Sequence, residues 1–169
     1  HLLTEAKKLA FADRNRYVAD PEFVAIPLSR LLSREYAAER RKLIAPDRTM
    51  PVVPPPADEK PAAAATAGKT DKANTTHLTV VDAAGNMVAL TQTLGAWYGS
   101  GVVAADTGVL FSNQLRHLHT EADSPSKLAP GRRPRSNQSP LIVLKDGQPW
   151  LAIGTPGSDG IWQRLAQVM

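Results

Sequence analysis

The sequence predicts an α+β protein, and two contrasting patterns carry that prediction. Before residue 50, apolar side chains recur every three to four positions, which is the spacing of helices buried along one face. After residue 74, short runs of alternating apolar and polar residues flank turn residues, as antiparallel hairpins do. Because the helices precede the hairpins instead of alternating with them, we expect a layered α+β arrangement and not a βαβ series.

Two scaffold helices are predicted in the first part. Residues 2–17, LLTEAKKLAFADRNRY, bring Leu2, Leu9 and three alanines close together, and Asp20-Pro21 then breaks the chain. A second helix is predicted from about residue 29 to residue 44, with Ser29 as its N-cap. Its apolar face is expected to contain Leu31, Leu32, Tyr36 and Leu43.

A tract of different composition follows. Residues 51–73 contain five prolines between Pro51 and Pro61 and then mostly small residues. Such a segment has too few large apolar side chains to pack, so we expect a flexible tether. The predicted organisation is a helical part over residues 1–49, a linker over 50–74 and a strand-rich part over 75–169.

The last part is predicted to hold two hairpins and a helix. Residues 77–94 form two alternating runs around a turn at residues 82–86, and residues 139–154 form another pair around Asp146-Gly147. Between the two hairpins, residues 99–113 are predicted to form strand and loop interrupted by glycines. Residues 155–169 are predicted to form a glycine turn followed by a helix that begins at about Asp159.

Composition excludes several classes of function. The net charge of the 169 residues is +4, and the basic residues form no stripe with aromatics, so no nucleic-acid partner is expected. No apolar run approaches the ~18 residues of a membrane span. Cysteine is absent, and the four histidines lack ligand spacing with carboxylates, so we expect no metal site. No organic cofactor is implied either. The chain begins at His1 within a helical pattern, which suggests an internal piece of a longer protein.

Paired threonines stand where the tether meets the first strand, at Asn74-Thr75-Thr76. A threonine hydroxyl is a poor nucleophile in mid-chain, but at a chain's N-terminus its own α-amine can act as the base. That amine has a pKa of about 7.7–8.0, so a fraction is free base at neutral pH. On this pattern alone, an ordinary strand start is the commoner interpretation.

Longer motifs favour the catalytic interpretation. The segments TTHLTVVDAAGNMVALTQTL, YGSGVVAADTGVLFSNQ, PGRRPRSNQSPLIVLKDG and IGTPG occur here in order. Together with LTEAKKLAFADRNRYVADPEFV near the start, they make the chain similar to the γ-glutamyltransferase family of N-terminal-nucleophile (Ntn) hydrolases. The resemblance implies that residues 1–49 end a large subunit and that residues 75–169 begin the catalytic small subunit. It also implies an αββα four-layer sandwich, incomplete in a piece of this size.

The resemblance assigns the chemistry to Thr75. Its hydroxyl would attack the carbonyl of Asn74, cut the precursor into two subunits, and then attack γ-glutamyl amides such as glutathione. The acyl group would pass to water or to an amine. Thr93 matches the family's supporting threonine and, on the second hairpin strand, is expected beside Thr75, with Thr91 on the same face. His77 is interpreted as structural, because the mechanism uses the α-amine as its base.

Gly157 and Ser158 stand where the family has paired glycines whose backbone N–H groups form the oxyanion hole. A glycine turn before a helix presents such groups to developing negative charge. Serine keeps the backbone N–H, but it would be strained if the turn needs a positive φ. An ordinary glycine turn with a serine N-cap is the alternative interpretation.

The residues expected to bind the substrate depart from the family's pattern. Gly95 replaces an asparagine that helps to hold the glutamyl α-carboxylate, and Arg116 and His117 occupy the segment where the family places a carboxylate for the α-amine. The remaining candidates are Gln114 and Ser136, which are retained, with Asn137 and Arg135, which are altered. One hypothesis is that Arg135 binds a substrate carboxylate with both guanidinium nitrogens, and the other is that it is a solvated surface arginine.

Three functions remain open at this point. The first is a γ-glutamyltransferase acting on glutathione-like amides, and the second is a related amidase or acylase with another acyl group. The third is a processed but inactive binding or structural homologue. The family resemblance also makes the periplasm or secretion the expected location.

Overall fold

The computed structural model describes residues 1–51 and 74–169, which divide into two compact units. The first unit contains residues 1–51 and 116–135, and the second contains residues 74–115 and 136–169. Nearly all of the predicted linker lies outside the described residues. The boundaries proposed for the helical and strand-rich parts therefore stay predictions.

The first predicted helix forms as expected, as α1 over Leu2–Tyr17, but the residues it buries differ from the predicted apolar set. The buried stripe is Glu5, Leu9, Asp13 and Tyr17, spaced four residues apart, while Leu2 is 60% exposed. Both carboxylates are paired inside this unit. Glu5 accepts hydrogen bonds from Lys8 Nζ at 2.7 Å and from the Met50 backbone N–H at 2.8 Å. Such partners make a charged residue acceptable in a buried stripe.

The second predicted helix is wrong in its bounds and its cap. The structure has a short α2 at Leu28–Leu31 and a separate α3 at Arg34–Arg41. Ser33, not Ser29, is the N-cap of α3, and its hydroxyl accepts from the Tyr36 N–H at 3.1 Å. This bond satisfies one of the free donors at a helix start, which favours a break at Ser33 over one continuous helix.

The predicted apolar face of this segment is only partly correct. Tyr36 is buried, but Leu32 is 80% exposed and Leu43 is also exposed. Arg40 Nη2 lies 2.8 Å from Asp13 Oδ1. Burial is the main cause that raises the pKa of Asp13 above its usual value. Burial and the nearby Asp13 also raise the pKa of Tyr36 to about 12.

The first hairpin of the second unit confirms the predicted pair of strands. Strand β1 at Thr75–Val81 pairs antiparallel with β2 at Met87–Thr93, so Thr75 lies opposite Thr93 and Val81 opposite Met87. Asp82 closes the turn. Its carboxylate accepts from the side chain of Asn86 at 2.7 Å and from two backbone N–H groups, and these bonds lower the pKa of Asp82.

The second hairpin is also confirmed. Strand β3 at Leu141–Lys145 pairs antiparallel with β4 at Gln148–Ile153, and the register shifts between Val143 and Leu144, where Trp150 of β4 has no partner in the register. Asp146 and Gly147 form the turn with φ values of +53° and +77°, as a two-residue hairpin loop of this twist requires.

Two other expectations for the second unit need correction. Residues 99–113 form no extended strand; Val103 and Leu110 make one isolated bridge around a 3-10 turn at Ala105–Thr107. The final helix, α4 at Ile161–Val168, begins two residues later than predicted, after a 3-10 turn at Ser158–Gly160.

Each unit has a small core of its own. The buried apolar residues of the first unit include Leu9, Tyr17 and Tyr36, and those of the second are Ile161 and Leu165. The structure is thus mixed helix and antiparallel strand, in agreement with α+β. Within the described part of the chain, no helix is long and apolar enough to cross a membrane.

Candidate active site

The candidate site is built at the open end of the first hairpin. Because Thr75 and Thr93 are directly opposite in the antiparallel register, their side chains lie on one face of the sheet. The Thr75 hydroxyl donates to Thr93 Oγ1 at 3.3 Å. The expected neighbourhood of the two threonines is therefore observed.

The hydroxyl of Thr93 also contacts the peptide bond that precedes Thr75. It donates to the carbonyl oxygen of Asn74 at 2.6 Å and accepts from the Gly95 backbone N–H at 2.8 Å. A hydroxyl has one proton to give and two lone pairs to share. With Thr75 and Gly95 as donors and Asn74 as acceptor, Thr93 uses all of this capacity. Its proton is directed at a carbonyl that adjoins the Thr75 hydroxyl.

His77 continues the same face. Its Nδ1 lies 2.8 Å from Thr91 Oγ1, the residue opposite it, and its Nε2 lies 3.1 Å from Thr79 Oγ1. Thr91 shares the face of Thr93, as strand parity predicts. Both ring nitrogens thus have hydroxyl partners in the hairpin. This arrangement agrees with a structural role for His77.

The His77 ring also lies against Gly154, the first residue after β4. A Cβ built on Gly154 would fall 2.1 Å from the ring carbon Cε1 and 2.3 Å from Nδ1. A contact that close does not occur between real atoms, so a side chain at residue 154 would push the ring away. The contact joins the strand that begins with Thr75 to the segment that leads to Gly157.

Gly157 has a conformation that favours glycine. Its φ is +131°, and a Cβ there would fall inside the guanidinium of Arg164. Arg164 reaches back from α4 and donates to the Pro156 carbonyl at 2.5 Å. Ser158 opens the 3-10 turn Ser158–Gly160, and Gly160, not Ser158, is the N-cap of α4. The serine N-cap interpretation is therefore wrong.

The candidate substrate residues Gly95 and Gln114 lie together, with Asn113 between them. Gly95 is buried, has φ +88°, and has no room for a side chain, because a Cβ would fall 2.1 Å from Asn113 Oδ1. The same Cβ position is 3.4 Å from Gln114 Nε2. The Asn113 backbone N–H donates to the Leu94 carbonyl at 3.0 Å, which holds this loop on the end of β2.

Ser136 and Asn137 form a second polar loop of the same unit. Asn137 Nδ2 donates to Asp159 Oδ1 at 2.6 Å, within the turn that follows Gly157. Ser136 Oγ accepts from the Gln138 N–H at 3.1 Å, and Gln138 Nε2 donates to the Thr91 carbonyl at 3.4 Å. This loop therefore bonds both to β2 and to the turn before α4.

The other candidates are placed as follows. Arg135 is half-buried and belongs to the first unit. The remaining candidate residues all belong to the second unit. Within the described ranges, no group of three histidine or acidic side chains could hold a metal ion.

Four residues that hold these parts together are not among the site residues that the sequence predicts. They are Asn113, Gln138, Gly154 and Asp159. Gln138 and Asp159 are short-range neighbours of candidate residues, and an Asn-rich or Asp-containing loop beside a glycine turn is a signal that could have suggested them. The importance of Gly154 depends on His77, 77 positions earlier, and no local signal reveals it.

The chain is similar in sequence to known proteins. A family model described as Gamma-glutamyltranspeptidase matches residues 1–169. The glutathione hydrolase proenzyme of Pseudomonas sp. strain A14 is 37% identical over 177 residues, which cover 95% of this chain and 28% of that protein. The acylase ACY 1 proenzyme of Pseudomonas sp. strain V22 is 37% identical over 171 residues, covering 100% and 28%.

A solved structure extends the likeness to the fold. The cephalosporin acylase from Bacillus halodurans superposes with a TM-score of 0.73 at 30% identity, covering 99% of this chain and 28% of that one. The chain therefore spans 28% of the length of the relatives described here.

Proposed function

The chain belongs to the γ-glutamyltranspeptidase family, and from that membership we propose that it carries the self-processing site and the nucleophile of an amide-cleaving enzyme. The precursor is cut between Asn74 and Thr75, and the freed Thr75 then cleaves γ-glutamyl amides such as glutathione. The acyl group passes to water or to an amine. The observation that carries this proposal is the 2.6 Å hydrogen bond from Thr93 to the Asn74 carbonyl, beside the Thr75 hydroxyl.

This bond suggests how the first cut is made. As the Thr75 oxygen attacks the Asn74 carbonyl carbon, its proton moves to Thr93 Oγ1, and the Thr93 proton moves to the carbonyl oxygen. The tetrahedral intermediate is then neutral, so no separate base has to hold a proton. When its C–N bond breaks, the nitrogen takes the hydroxyl proton and an ester to Thr75 remains. Water cleaves the ester, leaving the Asn74 carboxylate and a free Thr75 α-amine.

The same threonine then acts on substrate. Its α-amine, with an ordinary pKa near 7.7–8.0, takes the hydroxyl proton as the oxygen attacks the γ-carbonyl. The amine product leaves with that proton, and water or a second amine releases the acyl group. The backbone N–H groups of Gly157 and Ser158 are proposed to stabilise the oxyanion, which is worth on the order of 10²–10³ in rate per donor.

Substrate binding is proposed for Gly95, Gln114, Ser136, Asn137 and Arg135. Gly95 acts only through its backbone, because Asn113 fills the space that a side chain would need. The loss of that side chain favours a second candidate function, an acylase with a different acyl group. The equal identity to a glutathione hydrolase and to an acylase supports keeping both.

A four-layer αββα sandwich is proposed for the complete protein. One face of the first hairpin supports it, because its apolar side chains are 43–54% exposed and would be covered by a further layer. Those side chains are Leu78, Val80, Val88 and Leu90. The large and small subunits that cleavage produces are proposed partners of each other.

The decisive experiment is an intact-mass spectrum of the full-length protein beside its Thr75→Ala variant. Two masses for the parent, with the smaller beginning at Thr75, and one uncut mass for the variant are expected. One uncut mass in both would overturn the proposal. Rates on a γ-glutamyl anilide and on a cephalosporin side-chain amide then separate the two candidate functions.

A further inference from the structure

An ion pair between a buried carboxylate and an arginine whose side chain is 60% exposed joins two segments that the proposed cleavage would separate. Asp20 has a side chain with 0% exposure, and Arg133 lies 113 positions later, beyond Asn74-Thr75. Arg133 donates to Asp20 Oδ2 from its backbone N–H at 2.7 Å and from Nε at 3.2 Å. Its Nη2 donates to Oδ1 at 2.9 Å. Both residues lie within the first unit.

Among residues 1–51 and 74–169, the other donor to the Asp20 carboxylate is the Glu22 N–H, which reaches Oδ1 at 3.1 Å. A carboxylate taken out of water needs such donors, because an ionised group left buried without them is strongly disfavoured. Arg133 is well suited to this task, since its planar guanidinium contacts both oxygens at once.

Neighbouring contacts strengthen the same junction. Arg133 Nη2 also lies 2.9 Å from Glu22 Oε1, and the guanidinium of Arg132 lies 4.6 Å from the centre of the Phe23 ring. Arg132 is held in turn by the Lys127 carbonyl at 2.8 Å. Two consecutive arginines of the later segment, Arg132 and Arg133, therefore contact the segment Asp20–Phe23.

We infer that the Asp20–Arg133 pair is the anchor by which the C-terminal product of cleavage stays bound to the N-terminal product. The partner surface is the segment Asp20–Phe23, and the binding element is the Arg132–Arg133 segment. This inference rests on the proposed cleavage at Asn74–Thr75. Without a covalent link, the first unit, which contains chain from both sides of that bond, depends on contacts of this kind.

The test uses the full-length protein after cleavage, in gel filtration over a urea series, with each product identified by its mass. Asp20→Asn and Arg133→Met are compared with wild type, and Arg41→Met, an exposed arginine of α3, is the matched control. The apparent Kd between the products should rise about tenfold or more in either variant, as expected for a charge-assisted hydrogen-bond pair. The control should match wild type.

The double variant sharpens the result. Each single change already breaks the pair. In the double variant, Asp20→Asn with Arg133→Met, the two products should therefore bind no more weakly than in the weaker of the single variants. Additive losses, or Arg133→Met behaving as Arg41→Met does, would overturn the anchor. If Arg133→Met gives no soluble protein, Arg133→Lys is measured in its place. Separation of its two products at a lower urea concentration than in wild type supports the anchor, and separation at the same concentration overturns it.

A second arm separates this inference from the proposed function. A recognition sequence for a site-specific protease is inserted between residues 60 and 70 in the Thr75→Ala background, and the added protease makes the cut. If the wild type does not cleave itself, the proposed function is wrong. The anchor is still tested with the protease-cut protein, because the same variants are compared by the same gel-filtration measurement of binding between the two products.

Discussion

His77 lies against Gly154 so closely that a single added methyl group at residue 154 would overlap its imidazole ring. The contact connects the two hairpins at the ends that matter for the proposed chemistry. Thr75 begins the strand that carries His77, and Gly157 follows Gly154 by three residues. The position of the nucleophile relative to the proposed oxyanion hole therefore depends on this contact.

Gly154→Ala should destabilise the protein by about 1–3 kcal/mol, because the ring must move and its bonds to Thr91 and Thr79 must distort. Urea unfolding measures this loss. Gly160→Ala is the matched control, since its nearest neighbours are 3.8 Å from the added atom and no positive φ is needed. Equal stability of the two variants would contradict the packing argument.

His77→Ala should weaken the protein without changing the pH dependence of turnover. The reason is that His77 bonds two threonine hydroxyls, while the proposed base is the Thr75 α-amine. The profile of kcat/KM against pH tests this expectation. Its lower limb should lie near the pKa of the Thr75 α-amine in both proteins. A lower limb that is present in wild type and disappears in the variant would instead identify His77 as a base.

Thr93→Val should slow self-cleavage by on the order of 10²–10³, because it removes the donor to the Asn74 carbonyl while keeping a similar shape. Thr93→Ser keeps the hydroxyl and is the control, expected to cleave within about tenfold of wild type. The uncut fraction is followed with time by mass spectrometry. Similar rates for the valine and serine variants would rule out the proposed proton relay.

Protonation of the Asp20 carboxylate at low pH should lower the stability of the first unit. The hydrogen bonds from Arg133 are the main cause that holds the pKa of Asp20 well below its usual range. An acid whose pKa is lowered on folding stabilises the protein above its unfolded pKa, about 3.9, and this stabilisation is lost as pH falls toward the folded value. Stability measured from pH 6 to pH 2 should fall less steeply in Asp20→Asn than in wild type. Parallel curves would contradict this assignment.

Ser33→Ala should cost about 1 kcal/mol, because it removes the side-chain bond to the Tyr36 N–H at the start of α3. Ser29→Ala serves as the control, since Ser29 is exposed inside α2 and caps nothing there. It should change stability by less than about 0.5 kcal/mol. A larger loss at Ser29 would support the cap predicted from the sequence.

The features that could be predicted from the sequence are those that depend on neighbours along the chain. Strand alternation and the turns at Asp82 and Asp146 specify both hairpins, and the first hairpin's parity puts Thr75 opposite Thr93. The family resemblance adds the chemistry to that geometry. Local spacing is enough here, because a hairpin is closed by its own turn.

The features that could not be predicted depend on distant partners. Glu5 is buried because it bonds residue 50, and Asp20 because it bonds residue 133. Helical spacing alone gives a carboxylate no reason to face inward, so the predicted stripe of α1 omitted both Glu5 and Asp13. Likewise, the space beside Gly95 is filled by Asn113 from another loop.

The single hydroxyl of Thr93 has a consequence for how such an enzyme can evolve. Under the proposed function, it takes part in making the mature protein and then adjoins the nucleophile in every later turnover. A change at Thr93 would be selected against twice, whereas a change at Gln114 or Asn137 would be tested only by the substrate at hand. New specificities can therefore arise around a nucleophile whose immediate support stays the same.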